Sequence, residues 1–481
     1  MNEIAFATIH ELQTLLSTKK ISVAELNRAI LERFKKYDTE LNSALELFDA
    51  DSIVRASASA GPLYGIPGLI KDNIMQQNRI TSCASKILEH FVAPYDATAV
   101  ERLKQAGALL VGRANMDEFA MGSSTETSAF GKTKNPWDST RVPGGSSGGS
   151  IAAVAAGLVP WALGSETGGS VRQPAAFCGV VGLKPTYGLI SRYGLVAYAS
   201  GLDQIGITTR TARDAALILS TIAGNDARDS SSQRVEKTDY TNQLHGNIKG
   251  LKIGLVTNAV EAEGIDPEVG CALSEAVKML EKLGAQIIPV SLKTMEHAAA
   301  VYFIISRAQA ASNLARFDGV RYGMRAAGTS LSELYDNTRH DGFGAEVRAR
   351  IMIGNYVLSA GHADDFYGGA QKVQQLIRQE YAQIFKTIDC LFTPTTPTTA
   401  FRFGAFDSDK LQMDLQDYFT CPVNLAGIPA VSVPCGMGNN NLPIGMQLIG
   451  PHLSEGLLLR VADAFEQATP WHTYKPSNFV S

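Results

Sequence analysis

Residues 143–188 read PGGSSGGSIAAVAAGLVPWALGSETGGSVRQPAAFCGVVGLKPTYG, and the meaning of this stretch decides the fold. By composition alone the tract GGSSGGS at 144–150 is a flexible Gly/Ser linker. It runs, however, straight into an Ala/Val helix from Ile151 to Ala156, which a linker rarely does. A glycine-rich turn before a helix also suits a phosphate, held by backbone N–H groups and the helix dipole. A phosphate loop places a lysine and a hydroxyl directly after its last glycine, and Ser150-Ile151 stands there instead. A further reading takes Gly145-Ser146-Ser147-Gly148-Gly149 as a G-x-S-x-G nucleophile elbow in which Ser147 attacks. That elbow needs a histidine, and His245, His297, His340, His362, His452 and His472 all lie in helical or loop contexts with no motif nearby.

Two neighbouring pieces give the tract another meaning: Gly65-Ile66-Pro67-Gly68-Leu69-Ile70-Lys71-Asp72 upstream, and Gly164-Ser165-Glu166-Thr167-Gly168-Gly169-Ser170-Val171-Arg172 within the quoted stretch. Together the three resemble the amidase signature family, whose signature the chain follows almost without interruption from Pro143 to Gly188. The resemblance implies an α/β fold with a central mixed β-sheet covered by helices on both faces. It also implies a Ser-cisSer-Lys triad, with Lys71 as base, Ser146 as relay on a cis peptide after Gly145, and Ser170 as nucleophile. A serine hydroxyl is a weak nucleophile near neutral pH, so a base must take its proton during attack on an amide carbonyl. Lysine serves only if burial lowers its pKa toward neutrality, which the apolar neighbours Leu69, Ile70 and Ile74 favour. Thr167, Gly168 and Gly169 offer backbone N–H groups for an oxyanion hole. Ser147 is expected to support the relay by hydrogen bonding. Glu166 and Val171 depart from the Asp and Ile common in the family, without unsettling the triad.

The chain outside the signature narrows the substrate. The segments Asn115 to Ser124, Asn313 to Gly323 and Pro422 to Gly427 resemble the A-subunit branch of the family, from tRNA-dependent amidotransferases. That branch implies free glutamine as acyl donor, with its α-carboxylate on Arg350 and its α-ammonium on Asp417, and Tyr302 and Ser123 in the same pocket. Arginine suits the carboxylate because its fork binds two oxygens at once. The implied product is ammonia, passed to a B subunit (kinase/transamidase, tRNA-binding) beside a small C subunit. ATP and Mg are expected on that partner, no cofactor or metal in this chain, and tRNA only indirect contact. Two rivals remain: a free-standing amidase acting on a small-molecule amide, and a catalytically silent scaffold.

The remaining features are permissive. A length of 481 residues with 45% hydrophobic and 19% charged residues matches ordinary globular usage, and no apolar run reaches a membrane span. A net charge of −4 without a basic tract argues against direct nucleic-acid binding. Six cysteines with no CxxC or zinc spacing suggest reduced buried thiols. The N-terminus shows no signal peptide, so a cytoplasmic location is expected. One amidase-type α/β domain is expected over 1–481. It divides into a helical segment at 1–40 with capping boxes at Thr8/Glu11 and Ser22/Glu25, the signature core at 61–210, a substrate-specific helical insertion at about 211–390 punctuated by one α/β unit (Leu251 to Val256, a helix near Glu268 to Leu283, and Gln286 to Val290), and returning strands with a C-terminal helix at 391–481. Asp96 is expected near the start of the Thr98 to Gln105 helix and Gly107 just past its end.

Overall fold

A computed structural model describes residues 4–55 and 60–480; Met1 to Glu3, residues 56–59 and Ser481, which fall within the expected helical segment and domain, lie outside the described residues. Both capping boxes form. The Thr8 side chain accepts from Glu11 N–H while the Glu11 carboxylate accepts from Thr8 N–H, and Ser22 with Glu25 does the same, fixing the starts of helices Ile9–Ser17 and Val23–Leu41.

Among the described residues eleven strands form one sheet: β1 (Ala44–Leu47), β2 (Pro67–Lys71), β3 (Leu109–Ala114), β4 (Trp161–Glu166), β5 (Val181–Lys184), β6 (Gln204–Thr209), β7 (Lys252–Val256), β8 (Gln286–Val290), β9 (Cys390–Pro394), β10 (Ala430–Met437) and β11 (Pro443–Ile449). Their order is β1-β3-β2-β4-β6-β5-β10-β11-β9-β7-β8. The sheet is mixed, as expected. β2 runs parallel to β3 and β4, and β7 parallel to β8 and β9, while the remaining pairs are antiparallel. Every residue of β2 through β6 is buried, which requires cover on both faces. Helices Gly148–Ala155, Arg172–Cys178, Ala212–Ile222 and Glu455–Ala468 are among those packed on it.

The α/β unit expected at 251–290 forms as β7, helix Pro267–Lys282 and β8, and it extends the central sheet beyond β9. Asp96 lies near the start of helix Thr98–Gln105, as expected, one residue before its N-cap Ala97, and its carboxylate accepts from Gln77 N–H and Lys104. One expectation needs correction: Cys271 is exposed on helix Pro267–Lys282, whereas the other five free cysteines are buried.

Register places the chemistry. Gly68 of β2 pairs with Trp161 of β4, and Ile70 with Leu163, so the carboxyl ends of these parallel strands lie side by side. Lys71 follows one step on. Sheets of this kind bind ligands at such ends. Gly68 has no side chain because the Trp161 indole fills that space, and a Cβ there would overlap it. Gly68→Ala is therefore expected to cost about 1–3 kcal/mol through overpacking, read as a lower urea midpoint. An unchanged midpoint would contradict this packing.

Candidate active site

Lys71 ends β2, fully buried, with Nζ 2.7 Å from Ser146 Oγ, 2.8 Å from Ser147 Oγ and 3.1 Å from the Ser165 carbonyl oxygen. The Ser147 hydroxyl donates its own hydrogen to Ser165 O at 3.0 Å, so it presents only lone pairs to the amine. As an ammonium, Lys71 donates to all three oxygens. As a neutral amine it has two hydrogens, for Ser147 Oγ and Ser165 O, and one lone pair, which faces Ser146 Oγ. Counting donors and acceptors thus makes Ser146 the hydroxyl from which Lys71 can take a proton. Burial pushes the Lys71 ammonium down from 10.5 to about 7, against the opposing pull of Asp117, Asp203 and Glu166.

Ser146 and Ser147 lead into helix Gly148–Ala155, and the Gly145–Ser146 peptide is cis, as the resemblance implies. The turn is held from both sides. Asp117 N–H donates to Ser146 O at 3.1 Å, and Gly145 N–H donates to Gln173 Oε1 at 3.0 Å. The Asp117 carboxylate lies where a Cβ on Gly145 would be, and accepts from Thr125 N–H and the Thr127 hydroxyl at 2.8 Å each. Ser147 N–H donates to Ser170 O at 3.1 Å, joining the relay turn to the proposed nucleophile.

Ser170 sits on the turn between β4 and helix Arg172–Cys178. Glu166, the last residue of β4, accepts from Val171 N–H and Arg172 N–H at 3.0 Å each and pairs with the Arg172 guanidinium. Burial raises the Glu166 carboxyl, but Arg172 together with Lys184 outweighs it and leaves the pKa below the usual value. Thr167 donates its hydroxyl to Asp203 Oδ1 at 2.7 Å, which anchors the other side of the turn. Among the described residues the backbone N–H groups of Thr167, Gly168 and Gly169 donate to no protein acceptor, as a hole awaiting an oxyanion requires. Ser170 keeps 6% of its surface while Ser146 and Ser147 keep none, so of the three only Ser170 meets the outside. That accessibility favours attack by Ser170 over the elbow reading with Ser147.

The expected substrate residues gather against this turn. Gly168 abuts the Tyr302 phenol, with the hydroxyl 2.6 Å from a would-be Cβ, and Gly169 abuts the Asp417 carboxylate and the Thr420 hydroxyl. Ser123 donates to Asp417 Oδ2 at 2.6 Å. Burial pushes the Asp417 carboxyl up to about 7 despite that bond. A docked ammonium would restore the charged form. Arg350, buried on helix Ala345–Leu358, donates from Nη1 to the Tyr198 hydroxyl at 2.9 Å and from Nε to Glu346 at 2.8 Å. Asp417 and Arg350 both act on the Tyr302 hydroxyl, the first raising and the second lowering its pKa, although burial is the larger influence. An acid thus lies against the turn that carries Ser170, and Arg350 is tied to the same turn through Tyr198, whose N–H donates to the Asp203 that holds Thr167.

All eleven expected site residues therefore fall into one region. Sequence reasoning missed those that brace it: Asp117 behind the cis turn, Asp203 under Thr167, Gln173 on Gly145 and Tyr198 on Arg350. Asp117 lies inside the quoted stretch Asn115 to Ser124, but no spacing marks it as a brace. The other three make contacts that span many residues of chain.

The amidase family model matches residues 25–459. The glutamyl-tRNA(Gln) amidotransferase A-subunit of Thermosynechococcus vestitus is 53% identical over 480 residues, covering 98% of this chain and 99% of that protein. The crystal structure of the glutamyl-tRNA(Gln) amidotransferase A-subunit from Thermotoga maritima aligns with a TM-score of 0.83 at 43% identity, over 96% of this chain and 95% of that one. The structure of 6-aminohexanoate cyclic dimer hydrolase aligns with a TM-score of 0.88 at 28% identity, over 98% and 99%. A Lys–Ser–Ser constellation at the ends of β2 and β4, a family match across most of the length and full-length relatives at this identity agree: the chain belongs to the amidase signature family.

Proposed function

We propose that this chain is the glutaminase subunit of a tRNA-dependent amidotransferase. The observation that carries this reading is the buried base and acid, Arg350 and Asp417: Asp417 abuts Gly169 beside Tyr302, and Arg350 is tied to the same turn through Tyr198 and Asp203. An amide substrate bearing both a carboxylate and an ammonium at its far end matches that pair, and full-length relatives bearing the A-subunit name support the same choice.

In this mechanism neutral Lys71 takes the Ser146 proton as Ser146 takes that of Ser170, and Ser170 Oγ attacks the γ-carbonyl of glutamine. The oxygen of the tetrahedral intermediate accepts hydrogen bonds from the N–H groups at 167–169; losing one such donor typically costs about 3–4 kcal/mol of barrier. Collapse returns the proton through Ser146 to the leaving nitrogen, releasing ammonia and leaving a γ-glutamyl ester on Ser170. Water, deprotonated along the same relay, then frees glutamate. The ammonia passes to a partner B subunit that uses ATP and Mg to amidate glutamate, aspartate or both on mischarged tRNA, with a small C subunit completing a heterotrimer in the cytoplasm. Tyr302 and Ser123 position the amino-acid end, and Ser147 holds Lys71.

Arg350→Ala removes a charged hydrogen-bonding group, worth about 1.5–3 kcal/mol, so KM for glutamine is expected to rise about 10–100-fold with a smaller change in kcat. Steady-state glutaminase kinetics check this. Equal KM in variant and wild type, with brisk cleavage of unrelated small amides, would favour the free-standing amidase instead.

A further inference from the structure

Helix Ala345–Leu358, which carries Arg350, begins at Gly344, an N-cap with no side chain of its own to satisfy the helix start. The N–H of Gly344 itself, the donor that a capping-box glutamate would meet, is satisfied from far along the chain. Glu118, buried, accepts Gly344 N–H with both carboxylate oxygens, at 2.9 and 3.1 Å. A Cβ on Gly344 would meet that carboxylate, so glycine here leaves room for Glu118 to reach the helix start. The Ser85 hydroxyl bonds Glu118 and lies 3.1 Å from Gly342 O, and the Phe119 ring packs 5.6 Å from that of Phe343. Residues 342–344 are therefore clamped by consecutive side chains, Glu118 and Phe119.

The clamp belongs to the segment that also holds the chemistry. Asp117, next to Glu118, binds the Ser146 turn through its N–H, and Ser123, five residues past Glu118, binds Asp417. Arg350 lies less than two turns beyond Gly344 on a stiff helix, so a shift at the helix start displaces its guanidinium relative to the relay turn. We propose that Glu118 is a positioning residue for the amino-acid end of the substrate: by capping the Arg350 helix from the segment that braces Ser146, it sets the distance between the carboxylate-binding arginine and the nucleophile. This rests on the reading of Arg350 as the site of the glutamine carboxylate.

The test uses the full chain with its native partner subunits. Glutamine kcat and KM are measured alongside the rate at which phenylmethanesulfonyl fluoride, which has no amino-acid end, labels Ser170. Glu118→Ala is expected to raise KM about tenfold while kcat and labelling stay within about twofold. Glu118→Gln, which keeps an oxygen acceptor for Gly344 N–H, should recover most of the affinity. Ser85→Ala, a smaller lesion that avoids reliance on the folding of Glu118→Ala, should raise KM severalfold in the same pattern. The inference is overturned if KM is unchanged in Glu118→Ala while Arg350→Ala raises it, if labelling falls in step with affinity, or if Glu118→Gln is as impaired as Glu118→Ala. If Arg350→Ala itself leaves KM unchanged, the glutamine-pocket reading fails and takes this inference with it.

Discussion

Ser170→Ala is expected to lower glutamine hydrolysis by at least about 10⁴-fold, the scale on which serine hydrolases lose activity without their nucleophile, with folding intact. Ser170 heads helix Arg172–Cys178, and its hydroxyl takes no part in the Glu166–Arg172 brace that shapes the turn. Ser147→Ala is expected to be milder, about 10–100-fold. It removes an acceptor for Lys71 and a donor to Ser165 O, but leaves the Ser147 N–H bond to Ser170 O in place. The nucleophile-elbow reading demands the reverse order. Glutaminase turnover for the two variants, side by side, decides between them.

The second large effect concerns Lys71 and pH. Its pKa is pushed down from 10.5 to about 7 by burial, so the neutral amine that can accept a proton predominates above that pH. At saturating glutamine the rate is expected to rise with pH through about 7 and then level off. Burial also pushes Asp417 up to about 7, and in the proposed pocket its charged form would hold the α-ammonium, so it would act on KM in the same direction. Saturation separates the two, since kcat reports groups in the bound complex. Lys71→Ala is expected to remove at least about 10³-fold of kcat and to flatten this limb. A limb that persists in Lys71→Ala would assign it to another group.

Much of this site was legible in the sequence because a few local segments carry it. The ends of β2 and β4 and the turn after each hold Lys71 and Ser170, and one tract holds Ser146 and Ser147. Capping boxes at Thr8 and Ser22 declared their helices through side chains three residues apart, a local signal with a local cause. What stayed hidden depends on tertiary distance. Glu118 reaches Gly344 across 226 residues, Arg350 finds Tyr198 across 152, and Thr167 finds Asp203 across 36. No periodicity encodes such pairs. The extension of the sheet by β7 and β8 was hidden for a related reason: a β–α–β unit announces itself in sequence, but not the sheet edge it joins.

A γ-glutamyl ester on Ser170 links the chemistry to the substrate more directly than any rate. Acid quenching of the chain during turnover with glutamine, followed by peptide mapping by mass spectrometry, should find one glutamyl group on the peptide containing Ser170 and none in Ser170→Ala. An acyl group on Ser147, or none on any serine while ammonia is still released from glutamine, would contradict it.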